Sequence, residues 1–268
     1  MLTERQILQF HTFGFLVLRQ ILTPDELRSV NEEYENGYSK KDKCDLISGA
    51  RRQLNWSNFG SDSPGIASLL EDPRFCEIAE QLFGDDVVGV DSNSNHYAGN
   101  RSPWHPDLTG HLYGFKFVFY LSPIGANSGA LRVIPGSHRP AFSDAIGKLR
   151  FKDDHSDSRD DPGFAVNEVP CSICETEPGD AVLFHYHLWH ASWGGSKDRR
   201  MFSLQYYKNP KTPEEKAAMQ AWAGSFRDDQ NKPGRIDTQY PQCWLANPRN
   251  NPRRARWIDW LRQYQFID

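Results

Sequence analysis

Gly114-Phe115-Lys116-Phe117-Val118-Phe119-Tyr120-Leu121-Ser122 decides the fold class of this chain. Phe115, Phe117, Phe119 and Leu121 fall on one side of an extended segment, and Lys116, Val118 and Tyr120 on the other. A period of two marks a β-strand, because successive side chains point to opposite faces. Aromatic and β-branched residues suit that pleated surface. Working outward, Ala130 to Ile134 reads as another strand, closed by Pro135-Gly136. Residues 180–184, 187–193 and 200–207 are further strands broken by turn residues. Many short strands with Gly and Pro turns predict a sandwich or barrel, of which a jelly roll is one solution.

Both flanks read as helix. Residues 3–12 are helical up to Gly14, and Phe15 to Leu18 is a short buried strand. Thr23-Pro24-Asp25-Glu26 is a helix start: a capping hydroxyl, a proline in the first turn, and acids that suit the helix dipole. That helix is expected to run to about Asn36-Gly37. Residues 38–60 are polar and read as a loop, and a second helical stretch covers about 64–83, interrupted near Asp72-Pro73. Thr212-Pro213-Glu214-Glu215 repeats the cap signature, and 252–264 reads as a Trp- and Arg-rich helix. The expected organisation is one domain over 1–268, enough residues for a well-filled core. It comprises a helical part (about 1–84), a β core (about 85–207) and a helical extension (about 208–268). A surface insertion at about 139–168 includes an acidic, mobile stretch from Asp153 to Asp161.

Composition excludes several classes. Apolar residues are 38% and charged residues 25%, as in a folded soluble protein. The net charge of −4 gives no reason to expect nucleic acid as partner. There is no apolar run long enough for a membrane span. Residues 1–14 lack the charged-then-apolar layout of a signal peptide, so the expected location is cytoplasmic. The five cysteines are odd in number within a long chain, which argues against a disulfide framework. Cys171 and Cys174 form a lone C-x-x-C without two further ligands nearby, so they read as ordinary thiols rather than a zinc site.

The chemistry begins at Pro103-Trp104-His105-Pro106-Asp107. In an extended strand His105 and Asp107 point to the same face, and Pro106 biases His105 toward extended geometry. An imidazole and a carboxylate on one face are two legs of a facial metal site, and a second imidazole would complete a 2-His-1-carboxylate triad. Gly179-Asp180 to Ser192 supplies three candidates, His185, His187 and His190, near one strand. Arg199-Arg200 follows about ten residues later, where a guanidinium could grip a carboxylate through two parallel hydrogen bonds.

These segments resemble the phytanoyl-CoA dioxygenase family of iron(II)/2-oxoglutarate oxygenases. Trp104-His105-Pro106-Asp107 resembles the family's W-H-x-D. Asn127 to His138, with Gly129, Leu131 and Pro135-Gly136-Ser137-His138, is similar to its G-x-L-x-V-x-P-G-S-H. Gly179-Asp180 to Arg200 resembles its G-D-x-x-x-F-H-x-x-x-x-H-x-S stretch with a downstream arginine. The likeness spans about residues 5–207.

The resemblance implies a mainly β fold: a double-stranded β-helix (jelly roll, cupin-like) core with flanking N- and C-terminal helices. It implies that His105, Asp107 and His190 hold Fe(II), with His185 and His138 structural. Arg200 and Ser192 are implied to hold 2-oxoglutarate, with Arg199 as rival to Arg200. Two departures bear on that grip: Gly195 stands where the family often has Asn, and the arginine comes one residue early. Asp107 fills the position that halogenating relatives leave open, which argues against halogenation. The implied reaction uses O2 and 2-oxoglutarate as co-substrates, hydroxylates an aliphatic C–H of a small molecule, and releases succinate and CO2. The alternatives are a cupin-like metal-binding isomerase or lyase, and a catalytically silent binding module. The Arg199-Arg200 strand argues against the first, and the intact His-x-Asp with its distal His against the second.

For the substrate, the loop 38–60 offers Lys40, Lys41, Lys43, Arg51 and Arg52 with Trp56 and Phe59, a set that could meet an anionic small molecule. His96, Tyr97, His111, Tyr113 and Trp193 lie near the triad in sequence and are candidate pocket residues.

Overall fold

The computed structural model describes residues 1–44, 46, 53–84, 87–98, 102–152, 163–195, 198–230 and 239–268. Several of its helices start where the sequence places capping groups. Helix α1 (Glu4–Phe13) opens on a capping box between Thr3 and Gln6 and closes on Gly14 at φ 83°. That left-handed conformation is one glycine adopts without steric cost. Helix α2 (Pro24–Ser39) opens on the Thr23–Glu26 capping box. The Glu26 carboxylate accepts from Thr23 N at 2.8 Å and from Arg74 Nη1 at 3.1 Å. Its hydrogen bond to Arg74 holds the Glu26 carboxyl down at about 2. Thr23→Ala is expected to cost about 1 kcal/mol, the usual worth of an N-cap hydroxyl, read as a lowered urea midpoint at unchanged m.

The helical stretch 64–83 is split as the sequence suggests, into α3 (Pro64–Leu69) and α4 (Pro73–Phe83), with Asp72 capping the latter. The segment 38–60 departs from expectation. Helix α2 continues to Ser39, and Gln53–Ser57 forms a strand. The strand looks polar in sequence because only Leu54 and Trp56 face apolar packing, while Gln53 and Asn55 line a cavity.

Among the described residues ten strands make two sheets. Strands β1 (Phe15–Leu18), β2 (Gln53–Ser57), β3 (Val87–Tyr97), β5 (Gly114–Tyr120), β8 (Ala181–His185) and β10 (Arg199–Lys208) form the larger, in the order β1-β8-β5-β10-β3-β2. Strands β4 (Ser102–His105), β6 (Leu131–Val133), β7 (Ser172–Cys174) and β9 (His190–Ser192) form the smaller, in the order β4-β9-β6-β7. Every pairing is antiparallel. From β3 to β10 the chain passes large, small, large, small, small, large, small, large. This alternation is a double-stranded β-helix, or jelly roll, flanked by helices at both ends.

The two faces of the large sheet have separate tasks. On the outer face Phe115, Phe117 and Phe119 meet the helices: Phe10 stands 5.8 Å from Phe115, and Phe75 5.3 Å from Phe117. The C-terminal helix (Pro252–Gln263) closes the same side, with Trp257 Nε1 donating to Val87 O at 3.0 Å. On the inner face Val118, Tyr120, Val182, Phe184 and Met201 pack against Leu131 and Val133 of the small sheet. The insertion between β6 and β7 holds a short helix, α5 (Pro140–Gly147). The acidic stretch from 153 to 161 lies outside the described residues, as do Arg51 and Arg52. Among the described residues no helix is long and apolar enough to cross a membrane.

Candidate active site

The site lies between the sheets. His105, the last residue of β4, is the direct partner of His190, the first of β9. Their rings stand 4.4 Å apart. Asp107 is not in the strand, contrary to the expectation from its spacing. The chain bends after Pro106 because Asp107 N and Leu108 N both donate to Tyr186 O, at 2.8 and 3.2 Å. The bend still delivers the carboxylate: Asp107 Oδ1 lies 3.7 Å from His190 Nε2. One donor atom from each of the three residues falls within 4.8 Å of the others, the one such His/Cys/Asp/Glu group among the described residues.

Hydrogen bonds set the histidine tautomers. His105 Nδ1 lies 2.8 Å from Pro103 O, and His190 Nδ1 lies 2.9 Å from Leu188 O. A carbonyl can only accept, so each Nδ1 carries the hydrogen and each Nε2 offers a lone pair. Burial depresses the His190 imidazole to about 4 and keeps it neutral, the form that ligates a metal. Burial raises the Asp107 carboxyl, but the Lys116 ammonium beside it outweighs burial and holds the carboxyl below its usual value.

Lys116 is a site residue that sequence reasoning missed. It begins the inner row of β5, and its Nζ stands 2.8 Å from Asp107 Oδ2. That ion pair engages one carboxylate oxygen and leaves Oδ1 turned toward the imidazoles. The available signal was a lysine in phase with Val118 and Tyr120 in a strand whose other face is all phenylalanine.

The remaining histidines stand elsewhere. His187 Nε2 lies 2.7 Å from Leu112 O, and His185 Nδ1 accepts from His187 N at 3.1 Å. His138 stacks near His185 at 5.4 Å and approaches His11 O. Of the other candidate pocket residues, Tyr97 lines the cavity, whereas His96, His111, Tyr113 and Trp193 do not. His96 is on the outer face, stacked on Tyr38 at 4.2 Å. No disulfide joins the cysteines, and burial pushes the Cys174 thiol up to about 12, so it is inert.

The two arginines separate cleanly. Side chains alternate along β10, so Arg199 points between the sheets and Arg200 points out. Arg200, expected to reach the cavity, instead pairs with Glu35 at 2.7 Å on the outer side. Arg199 is 2% exposed, lines the cavity, and stands 4.5 Å over the Tyr97 ring. Its Nη1 donates to Gly129 O at 2.7 Å, and its Nε has no partner. Gly129 has φ 95°, and a Cβ there would come within 2.5 Å of Arg199 Nη1. Glycine at 129 therefore gives the guanidinium its room. Ser192 shares this end of the cavity, with its hydroxyl 3.0 Å from that of Ser102.

The cavity holds about 370 Å³ and includes the triad, Lys116, Arg199 and Ser192. Its far wall carries Asp91, whose carboxyl burial pushes up to about 6.

Comparison with known proteins agrees with this geometry. The family profile for phytanoyl-CoA dioxygenase (PhyH) matches residues 10–202. An ectoine dioxygenase from Sphingopyxis alaskensis is 26% identical over 220 residues, covering 72% of this chain and 71% of the relative. Among solved structures, EctD from S. alaskensis with 2-oxoglutarate and 5-hydroxyectoine superposes with a TM-score of 0.57 at 21% identity, covering 77% of this chain and 76% of that one. HygX from Streptomyces hygroscopicus, with nickel and 2-oxoglutarate bound, gives 0.59 at 19% identity, covering 79% and 89%. The two structural likenesses speak for the fold, and the profile match spans most of the chain. The chain belongs to the phytanoyl-CoA dioxygenase family of iron(II)- and 2-oxoglutarate-dependent oxygenases.

Proposed function

We propose that the protein hydroxylates an aliphatic C–H of a small organic molecule, with His105, Asp107 and His190 as its iron ligands. Arg199, with Ser192, is the grip on the distal carboxylate of 2-oxoglutarate, in place of Arg200. The observation that carries this reading is the buried guanidinium of Arg199, without a carboxylate partner among the described residues, sharing one cavity with the triad.

The residues fit the groups they would hold. Two imidazoles whose Nδ1 atoms are engaged by carbonyls, leaving Nε2 to ligate, and the Asp107 carboxylate form the facial arrangement suited to Fe(II), leaving positions for a chelating co-substrate and O2. A buried cation without an anionic partner costs free energy that a ligand carboxylate recovers. When bound, iron would bring O2 together with 2-oxoglutarate, O2 being the oxidant that gives one oxygen atom to succinate, with release of CO2, and one to the substrate. The protein's residues do the positioning. Lys116 restrains Asp107 through Oδ2, and the Pro103 and Leu188 carbonyls fix the ring planes of His105 and His190. Phe184, 4.8 Å from His190, and Val118 limit water at the reacting centre. The described chain working as one oxygenase domain in the cytoplasm belongs to the same proposal.

The test is anaerobic. Protein loaded with Fe(II) is titrated with 2-oxoglutarate and followed by visible absorption. A saturable charge-transfer band at one equivalent is expected. A flat spectrum with iron bound would remove the reading.

A further inference from the structure

We infer that the substrate is a polyhydroxylated small molecule without an anionic group, of the sugar or cyclitol class. The inference rests on the oxygenase reading above and names the substrate class of the same site. It comes from the wall of the cavity that the iron and 2-oxoglutarate do not use.

That wall is built from the inward rows of three adjacent strands. Strand β2 contributes Gln53 and Asn55, β3 contributes Asp91, Asn93 and Asn95, and β10 contributes Ser203 and Gln205. The register places Asn55 beside Asn95, Asn93 beside Ser203, and Asp91 beside Gln205. Arg199 and Gln205 are opposite ends of one inward row, on the order of 20 Å apart at strand rise. The anion grip and the amide wall are thus separate parts of one cavity.

Internal bonds fix which end of each amide meets a ligand. Asn93 Nδ2 donates to Asp91 Oδ1 at 2.6 Å, so Asn93 presents its carbonyl. Asp91 is further held by Gln239 Nε2 at 3.1 Å and the Tyr207 hydroxyl at 3.3 Å. Asn55 Nδ2 donates to Asn95 Oδ1 at 2.8 Å, and Gln53 Nε2 donates to the same oxygen. Asn55 and Gln53 therefore present carbonyls, and Asn95 presents its amide N–H. The Tyr186 hydroxyl donates to Gln205 Oε1 at 2.7 Å, so Gln205 also presents N–H.

Acceptors and donors are thus interleaved, and hydroxyl groups both donate and accept. A carboxylate or phosphate here would face three carbonyls and the Asp91 carboxylate. Of the two cations that line the cavity among the described residues, Lys116 is paired with Asp107 and Arg199 stands at the other end. Lys40, Lys41 and Lys43 do not line the cavity: Lys40 pairs with Asp62, and Lys43 lies over the Tyr38 ring. An acyl chain would dry out five amides without replacing their water, leaving polar groups unsatisfied. Sites built to bond substrate hydroxyls reject analogues that lack them by large factors.

The test uses the Fe(II)- and 2-oxoglutarate-loaded protein. Methyl α-D-glucoside, D-glucosamine, myo-inositol and D-mannitol form one set of probes; phytanoyl-CoA, palmitoyl-CoA and glucose 6-phosphate form the other. Binding is read from the change each makes in the anaerobic charge-transfer band, and coupling from succinate release in air. At least one member of the first set is expected to shift the band saturably and raise succinate release at least tenfold. Asn93→Ala and Gln205→Ala should each raise its half-saturation concentration at least tenfold while leaving the 2-oxoglutarate titration in place. The inference is overturned if the second set alone produces the effect, if no polyol does, or if the two variants bind the polyol as wild type does. Loss of the 2-oxoglutarate band itself in the wild type would instead strike the oxygenase reading.

Discussion

His105→Ala is expected to leave a folded protein that neither retains Fe(II) through dialysis nor releases succinate from 2-oxoglutarate. Residues behind metal ligands typically cost 10–100-fold in affinity or activity, by rough general experience, and removal of a ligand should exceed that. The geometry explains the severity. His105 and His190 face each other as register partners, and Asp107 reaches them from a bend anchored on Tyr186 O. Loss of one imidazole leaves two donors, which cannot define the facial site. His105 is half-buried and outside the phenylalanine-rich core, so folding should survive. Iron content by plasma mass spectrometry, succinate release and a thermal melt report the three outcomes separately. A His105→Ala protein that holds stoichiometric iron and turns over normally would refute the assignment.

Arg199→Ala and Arg200→Ala should differ sharply despite being neighbours. Truncating one partner of a buried charge pair costs about 2–5 kcal/mol, roughly 30-fold to several thousand-fold in affinity. Arg199→Ala should therefore raise the KM for 2-oxoglutarate at least about a hundredfold. Arg200 pairs with a half-exposed Glu35, and such surface pairs are worth about 0–1 kcal/mol. Arg200→Ala should change that KM by no more than about twofold, because a lost surface pair acts on stability rather than on the cavity. Titration of 2-oxoglutarate against Fe(II)-loaded protein, with circular dichroism to verify folding, measures both. Equal effects, or a larger effect at 200, would return the grip to Arg200.

The comparison of these two arginines also shows where sequence reasoning stops. An arginine about ten residues beyond the distal histidine was legible, but its choice depends on the phase of β10. Phase follows from which residues pair with Phe119 and Ser94 across the sheet, namely Phe202, and this is a contact between distant segments. The strand at 53–57 was hidden for a related reason. Its alternation is Gln-Leu-Asn-Trp-Ser, and a polar residue facing a cavity cannot be told from one facing solvent by type alone. Lys116 was placed on the correct face from the sequence, yet its role needed Asp107 to arrive from another strand's end.

Local chemistry along the chain was sufficient for the helix that starts at Thr23-Pro24, the break near Asp72-Pro73 and the alternating strand 114–120. These depend on spacing within a few residues, whereas the jelly-roll class and the choice of His105, Asp107 and His190 followed from motifs that resemble a known family. The packing of the two sheets decided the rest: the bend that turns Asp107 inward, Arg199 facing the cavity with Arg200 facing out, the Lys116 ion pair, and a wall of amides on β2, β3 and β10. Each of these is a relation between segments tens of residues apart, fixed by register and by the burial of one face, and no short stretch of chain encodes which face that is.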